Sequence, residues 1–89
     1  MMDIEGFKTG LRADGFGEPV ERALPPTVDN GEHVHPFEVR ALVTEGAITL
    51  RWDGQAETYG PGEIFRMAAN CPHSEAIGPT GVRYLSGRK

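Results

Sequence analysis

The sequence predicts an all-β fold, a sandwich or small barrel of short antiparallel strands with one short helix in front. Three observations lead there. Twelve glycines and seven prolines punctuate the chain throughout. No long stretch carries the apolar spacing of a buried helix. Short alternating runs recur with turn signals at regular intervals, which is the pattern of all-β folds.

The helix comes first. Asp3 can cap it, and Ile4, Phe7 and Leu11 fall at i, i+3 and i+7, one apolar stripe. Gly6 and Gly10 weaken it by about 1 kcal/mol each relative to alanine. Gly15 or Gly17 ends it. Residues 1–19 therefore read as a clasp laid against a sheet, and residues 20–89 as the barrel, together one domain.

Val20 to Leu24 is expected as a first strand, stopped by Pro25-Pro26, because consecutive prolines have no N–H to donate. Asp29-Asn30-Gly31 is a turn. A strand then carries His33 and His35, and its parity continues through Val39, Ala41 and Val43. Glu38, Arg40, Leu42 and Thr44 face the other way. Glu45-Gly46 is expected as a tight turn, Ala47 to Trp52 as an alternating strand, and Asp53-Gly54 as a two-residue hairpin. Gln55 to Tyr59 returns, Gly60-Pro61-Gly62 turns, and Glu63 to Met67 forms another strand. Asn70 can occupy a left-handed turn position. Cys71, His73, Glu75 and Ile77 then share one face, Gly78-Pro79-Thr80-Gly81 breaks the strand, and Val82 to Ser86 closes the fold. Seven or eight short strands result.

Charge and composition exclude some functions. A net charge of −4 argues against a nucleic-acid surface, which needs clustered lysine and arginine. No apolar run is long enough for a membrane span, and Met1-Met2-Asp3-Ile4-Glu5 does not resemble a signal peptide. With one cysteine there is no intrachain disulfide, and a cytoplasmic location is expected. A chain this small buries little apolar area, so a homodimer is expected.

The chemistry sits in the histidines. His33 and His35, two apart on one strand face, project two imidazoles from one wall, half of a metal site. From Val20 to Leu85 the chain resembles a minimal single-domain cupin, a jelly-roll barrel carrying two motifs. The first family motif is His-x-His, three or four residues, Glu, six residues, Gly. His33, His35 and Gly46 match it. The second runs Gly, five residues, Pro-x-Gly, two residues, His, three residues, Asn. Gly62 and His73 match it at the right separation, and fifteen residues, Ala47 to Pro61, lie between the motifs. All three histidines of the chain therefore occupy ligand positions of the pattern.

The departures are equally specific. The family's glutamate ligand falls at Val39, which binds no metal, and Glu38 beside it should face away. Thr27, Ala68, Asn70 and Ile77 replace the pattern's remaining glycine, proline, glycine and asparagine. The resemblance implies one divalent ion (Fe, Mn, Ni, Zn or Cu) on His33, His35 and His73, with positions left open as in catalytic rather than structural sites. Glu75 shares the face of His73 and is the expected substitute carboxylate, as a ligand, as an anchor for water or as a general base. Cys71 is read as a small buried hydrophobe, Tyr84 and Trp52 as packing aromatics, and Arg40 as a surface or dimer-face residue. Phe37, Val39, Ala41, Val43 and Ile77 would line an apolar interior.

Three functions follow from the resemblance. One is a small metal-dependent enzyme, dioxygenase-like because three-histidine cupins include such enzymes. Another is a non-catalytic module that binds or senses a small molecule. The third is a metal-free cupin with a role in assembly.

Overall fold

The computed structural model describes residues 2–89. One helix, α1 (Ile4–Ala13), precedes five strands: β1 (Val20–Leu24), β2 (Val39–Trp52), β3 (Gln55–Tyr59), β4 (Ile64–Met67) and β5 (Ser74–Arg88). All pairings are antiparallel, in the order β1-β5-β2-β3, with β4 also on β2. No helix among the described residues is long and apolar enough to cross a membrane.

α1 forms as its sequence suggests. The Asp3 side chain accepts a hydrogen bond from the Gly6 N–H (2.8 Å), satisfying one of the donors that a helix start leaves free. The chain leaves the helix at Gly15, whose φ of 82° suits glycine. Phe7 and Leu11 are buried, whereas Ile4 is exposed and lies outside the stripe expected of it. Together with Phe16 they cover Leu42, which the register places opposite Leu85 on the outer face of the sheet. Burial of such side chains stabilises by about 1.5–3 kcal/mol each. Arg40 is not a free surface residue. Its guanidinium binds Asp14 at 2.6 Å and lies over the Phe16 ring, 4.6 Å from its centre, fastening the clasp to β2.

The opposite face of the sheet holds the main core. Val39, Ala41, Val43, Ile48, Leu50, Phe65, Ile77, Val82 and Tyr84 pack there. The alternation along β2 and β5 sends these residues inward.

The number of strands differs from the expectation. Glu45-Gly46 does not turn the chain, and Gly78–Gly81 does not end a strand. β2 and β5 run through both places as strands of 14 and 15 residues. Their pairing slips between Val43 and Glu45 and again between Gly46 and Ile48. These are bulges, which bend a strand without terminating it. Gly46 (φ 74°) and Gly81 (φ 80°) meet backbone to backbone at this bend. A Cβ on Gly46 would overlap the Gly81 carbonyl oxygen. Asp53-Gly54 does form the expected hairpin, with both residues at positive φ, between Trp52 and Gln55.

The histidine stretch also differs. Residues 25–38 form an irregular strap, not a strand. It touches β5 through an isolated bridge from Thr27 to Ile77, and the residue just before β5 through one from His33 to His73. Proline at 36 and the turn at 29–31 leave too short a run for a ladder.

Candidate metal centre

The strap returns alongside the start of β5, and this brings the three histidines together. His33 and His73 exchange backbone hydrogen bonds of 2.8 and 3.0 Å. Their rings lie 4.4 Å apart between centres, and His35 is 5.1 Å from each. One ring nitrogen from each of the three lies within 4.8 Å of the others. Three ligands on one tetrahedral ion with bonds of about 2.1 Å stand roughly 3.4 Å apart, so the rings must close by up to about 1.4 Å to share an ion.

Ring orientation is set by the backbone. His33 Nδ1 donates to the Gly31 carbonyl and His73 Nδ1 donates to the Cys71 carbonyl, each at 2.9 Å. A carbonyl only accepts, so the proton of each neutral ring sits on Nδ1 and the lone pair on Nε2. That is the tautomer a metal-binding histidine needs, with its outer nitrogen held by an outer partner. His73 is buried, and its Nε2 has no hydrogen-bond partner among the described residues. A buried polar atom without a partner costs roughly 1–3 kcal/mol. An ion at this point would remove that cost, so the donor set fits a divalent metal. Burial, followed by the nearby charges of His73 and His33, lowers the His35 pKa below its usual 6.5 and favours the neutral, ligating form.

Glu75 is buried on the same face as His73. Its Oε1 lies 4.0 Å from His33 Nε2 and its Oε2 lies 4.0 Å from His73 Nε2, too far for hydrogen bonds. The carboxylate is held by Asn30. The Asn30 Nδ2 donates to Glu75 Oε1 at 2.7 Å, and the Glu75 N–H donates to Asn30 Oδ1 at 2.8 Å. The second bond fixes which way the amide faces. Sequence reasoning assigned Asn30 only to a turn. The one available signal was the Asx turn itself, in which Asp29 accepts from the Gly31 N–H and leaves Asn30 pointing across the strap.

Other residues meet expectation in part. Val39 is buried core, as expected of an apolar residue on the inner face. Cys71 is half-buried, not enclosed, and lines a cavity of about 250 Å3 with Trp52, Tyr59 and His73. Trp52 therefore borders open space as well as packing on the core. Tyr84 packs against Phe65 edge to face, with centres 5.3 Å apart. Burial, then the charge of Glu75, raises its phenol pKa above 10.

Comparisons with known proteins agree with this architecture. A RmlC-like cupin from Shewanella frigidimarina superposes with a TM-score of 0.66 at 20% identity, covering 80% of this chain and 63% of that one. The EutQ protein of Clostridium difficile gives 0.71 at 13% identity, covering 88% and 60%. The polyketide cyclase RemF of Streptomyces resistomycificus gives 0.66 at 26% identity, covering 86% and 58%. The chain thus spans about three fifths of the length of these proteins. No curated protein matches it significantly. The family model for the cupin domain matches residues 20–86. With both motifs in register and the jelly-roll strands in place, the chain belongs to the cupin family.

Proposed function

We propose that this cupin is a small metal-dependent enzyme, dioxygenase-like, in which His33, His35 and His73 hold one divalent ion and Glu75 completes the centre. The observation that carries the reading is the unpartnered Nε2 of buried His73, aimed at the point where His33 and His35 converge. Three neutral imidazoles leave positions free on an ion, as catalytic sites require. A redox-active ion there would supply the oxygen chemistry that protein side chains lack. The chain's own residues do the rest. The Gly31 and Cys71 carbonyls keep two imidazoles in the ligating tautomer, and Asn30 keeps the Glu75 carboxylate turned toward them. From there Glu75 can accept a proton from a small molecule bound beside His35, or serve as a fourth ligand.

Metal analysis and metal titration of protein made without a histidine tag test this. One equivalent of ion per chain is expected, with Glu75→Gln weakening binding by about 10–100-fold. Wild type that binds no metal sinks the proposal. A Glu75→Gln variant that binds as tightly as wild type removes Glu75 from the ligand set and leaves a three-histidine centre.

A further inference from the structure

A second cavity, of about 160 Å3, adjoins the histidines on the inner face of the sheet. His35 and Glu75 border it, and so do Arg22, Tyr84, Ser86 and Arg88. The register explains that second group. Arg22 on β1 lies opposite Tyr84 on β5, and Ser86 and Arg88 follow Tyr84 at the same parity. The Arg88 guanidinium lies over the Phe37 ring, 4.5 Å from its centre, and Phe37 in turn stacks on His35 at 5.0 Å. A cation is thus held beside the candidate metal centre by an aromatic ring.

These two arginines differ from most others in the chain. Arg12, Arg40, Arg51 and Arg83 each reach a carboxylate. Arg22 and Arg88 reach none among the described residues, although the protein has thirteen acidic residues and a net charge of −4. Two guanidiniums against the one carboxylate of Glu75 make this cavity locally positive in an acidic protein. A solvated arginine on a sheet edge needs no partner. Two on one inner face, converging with the Tyr84 and Ser86 side chains on one cavity, form a recognition surface for an anion.

We infer that this cavity binds the carboxylate of a small organic acid through Arg22, Arg88 and Tyr84, presenting the rest of the molecule to His35 and Glu75. The inference deepens the metal-enzyme reading by naming its substrate class, and only the far end of the ligand rests on that reading. A half-open cavity of this size suits a small organic acid. A planar carboxylate suits guanidinium donors, which bind it in pairs of parallel hydrogen bonds.

The test is an NMR titration of 15N-labelled protein with pyruvate, and with pyruvamide as its uncharged counterpart. It is run once after chelation and once after addition of one equivalent of zinc. Pyruvate should shift the amides around Arg22, Phe37, Tyr84 and Arg88 in both preparations, and pyruvamide should not. Arg22→Gln and Arg88→Gln should each weaken pyruvate binding by about tenfold or more, the loss of one charge-assisted contact. Arg88 is exposed, so its variant remains informative even where Arg22→Gln fails to fold. If zinc binds but pyruvate does not, or binds equally well to Arg88→Gln, the inference falls and the metal proposal stands. If pyruvate binds the chelated protein and zinc never binds, the metal proposal falls and the carboxylate site stands.

Discussion

Two segments bring imidazoles to one point, and they are built differently. His73 is buried and immediately precedes β5, a strand paired with β2 over most of its length. His33 and His35 ride on the strap, half-exposed, held by isolated bridges and scattered backbone and side-chain hydrogen bonds rather than by a continuous ladder. The β5 half is positioned by the same ladder and core that make the barrel. The strap half is positioned by what it touches beyond itself: the backbones of His73, Glu75 and Asn70, and the Glu75 carboxylate. A metal ion would therefore do more than bind to a finished pocket. It would tie a weakly held segment to a firmly held one.

The largest effect on this contrast comes from attacking the firm half. Gly46→Ala puts a methyl group against the Gly81 carbonyl at a φ of 74°. A backbone that cannot give way should lose about 3 kcal/mol or more, in the range that marks strained core substitutions. Urea melts of the chelated protein read this directly, and a loss below about 1 kcal/mol would mean the bend is softer than its geometry implies.

Next comes removal of the tie itself. Metal that binds only the folded state contributes about 2.7 kcal/mol at one hundred times its dissociation constant. For a chain of this size chelation should lower the Tm by about 10–20 °C. His35→Ala should show almost no such drop. Hydrogen exchange separates the halves further. After chelation the Asn30 and His33 amides should exchange faster, while those of Ala41 and Val43 in β2 should not. Uniform acceleration would refute the division into firm and weak halves.

A smaller effect is expected from the clamp. Asn30→Ala removes both side-chain hydrogen bonds to Glu75 while sparing the backbone bond between the two residues and the ladder. Metal affinity should fall by about 10–100-fold, typical of losing an outer partner, and stability by about 1–3 kcal/mol. Unchanged affinity would show that Glu75 keeps its orientation without help.

The smallest effect is a pH dependence. Burial and the neighbouring histidines depress the folded-state pKa of His35 below 6.5, so in that region the unfolded chain binds more protons than the folded one. Stability of the chelated protein should therefore rise with pH from the depressed folded value to about 6.5 and gain nothing further from this group above that. His35→Phe keeps a ring to stack on Phe37 and should flatten that segment of a pH–stability profile. An unchanged slope would leave His35 without influence on folding.

The sequence shows the firm half and the site better than the strap, for physical reasons. Alternation exposed the inner faces of β2 and β5, since Val39, Ala41, Val43, Ile48 and Leu50 are apolar at every second place on each side of the bulge. The three histidines were visible because all of them match motif positions. Glu45-Gly46 misled because a glycine at positive φ serves a tight turn and a bulge equally well, and only the partner strand decides between them. The His-x-His spacing suggested a strand where none forms. The rings converge because His33 bridges to His73, a contact that no local pattern encodes. Asn30 and the Arg22–Tyr84 pairing were hidden for the same reason. Each depends on a register between distant segments.

That dependence on β5 shapes how the protein folds. β1 and β2 do not pair with each other; β5 joins them, with Val20 meeting Ser86 and Val39 meeting Arg88. Only α1 and the β2–β3 hairpin are local enough to form early. Every other ladder closes a long loop, whose entropy must be lost before any contact compensates for it. The chain should therefore fold on the millisecond-to-second scale of β-rich proteins rather than the microseconds of helical ones. β5 follows the other four strands in the chain, so until it emerges β2 can pair only with β3 and β4, and β1 has no strand to pair with. For that interval part of the apolar inner face stays uncovered, the kind of surface that exposes a partly folded chain to aggregation.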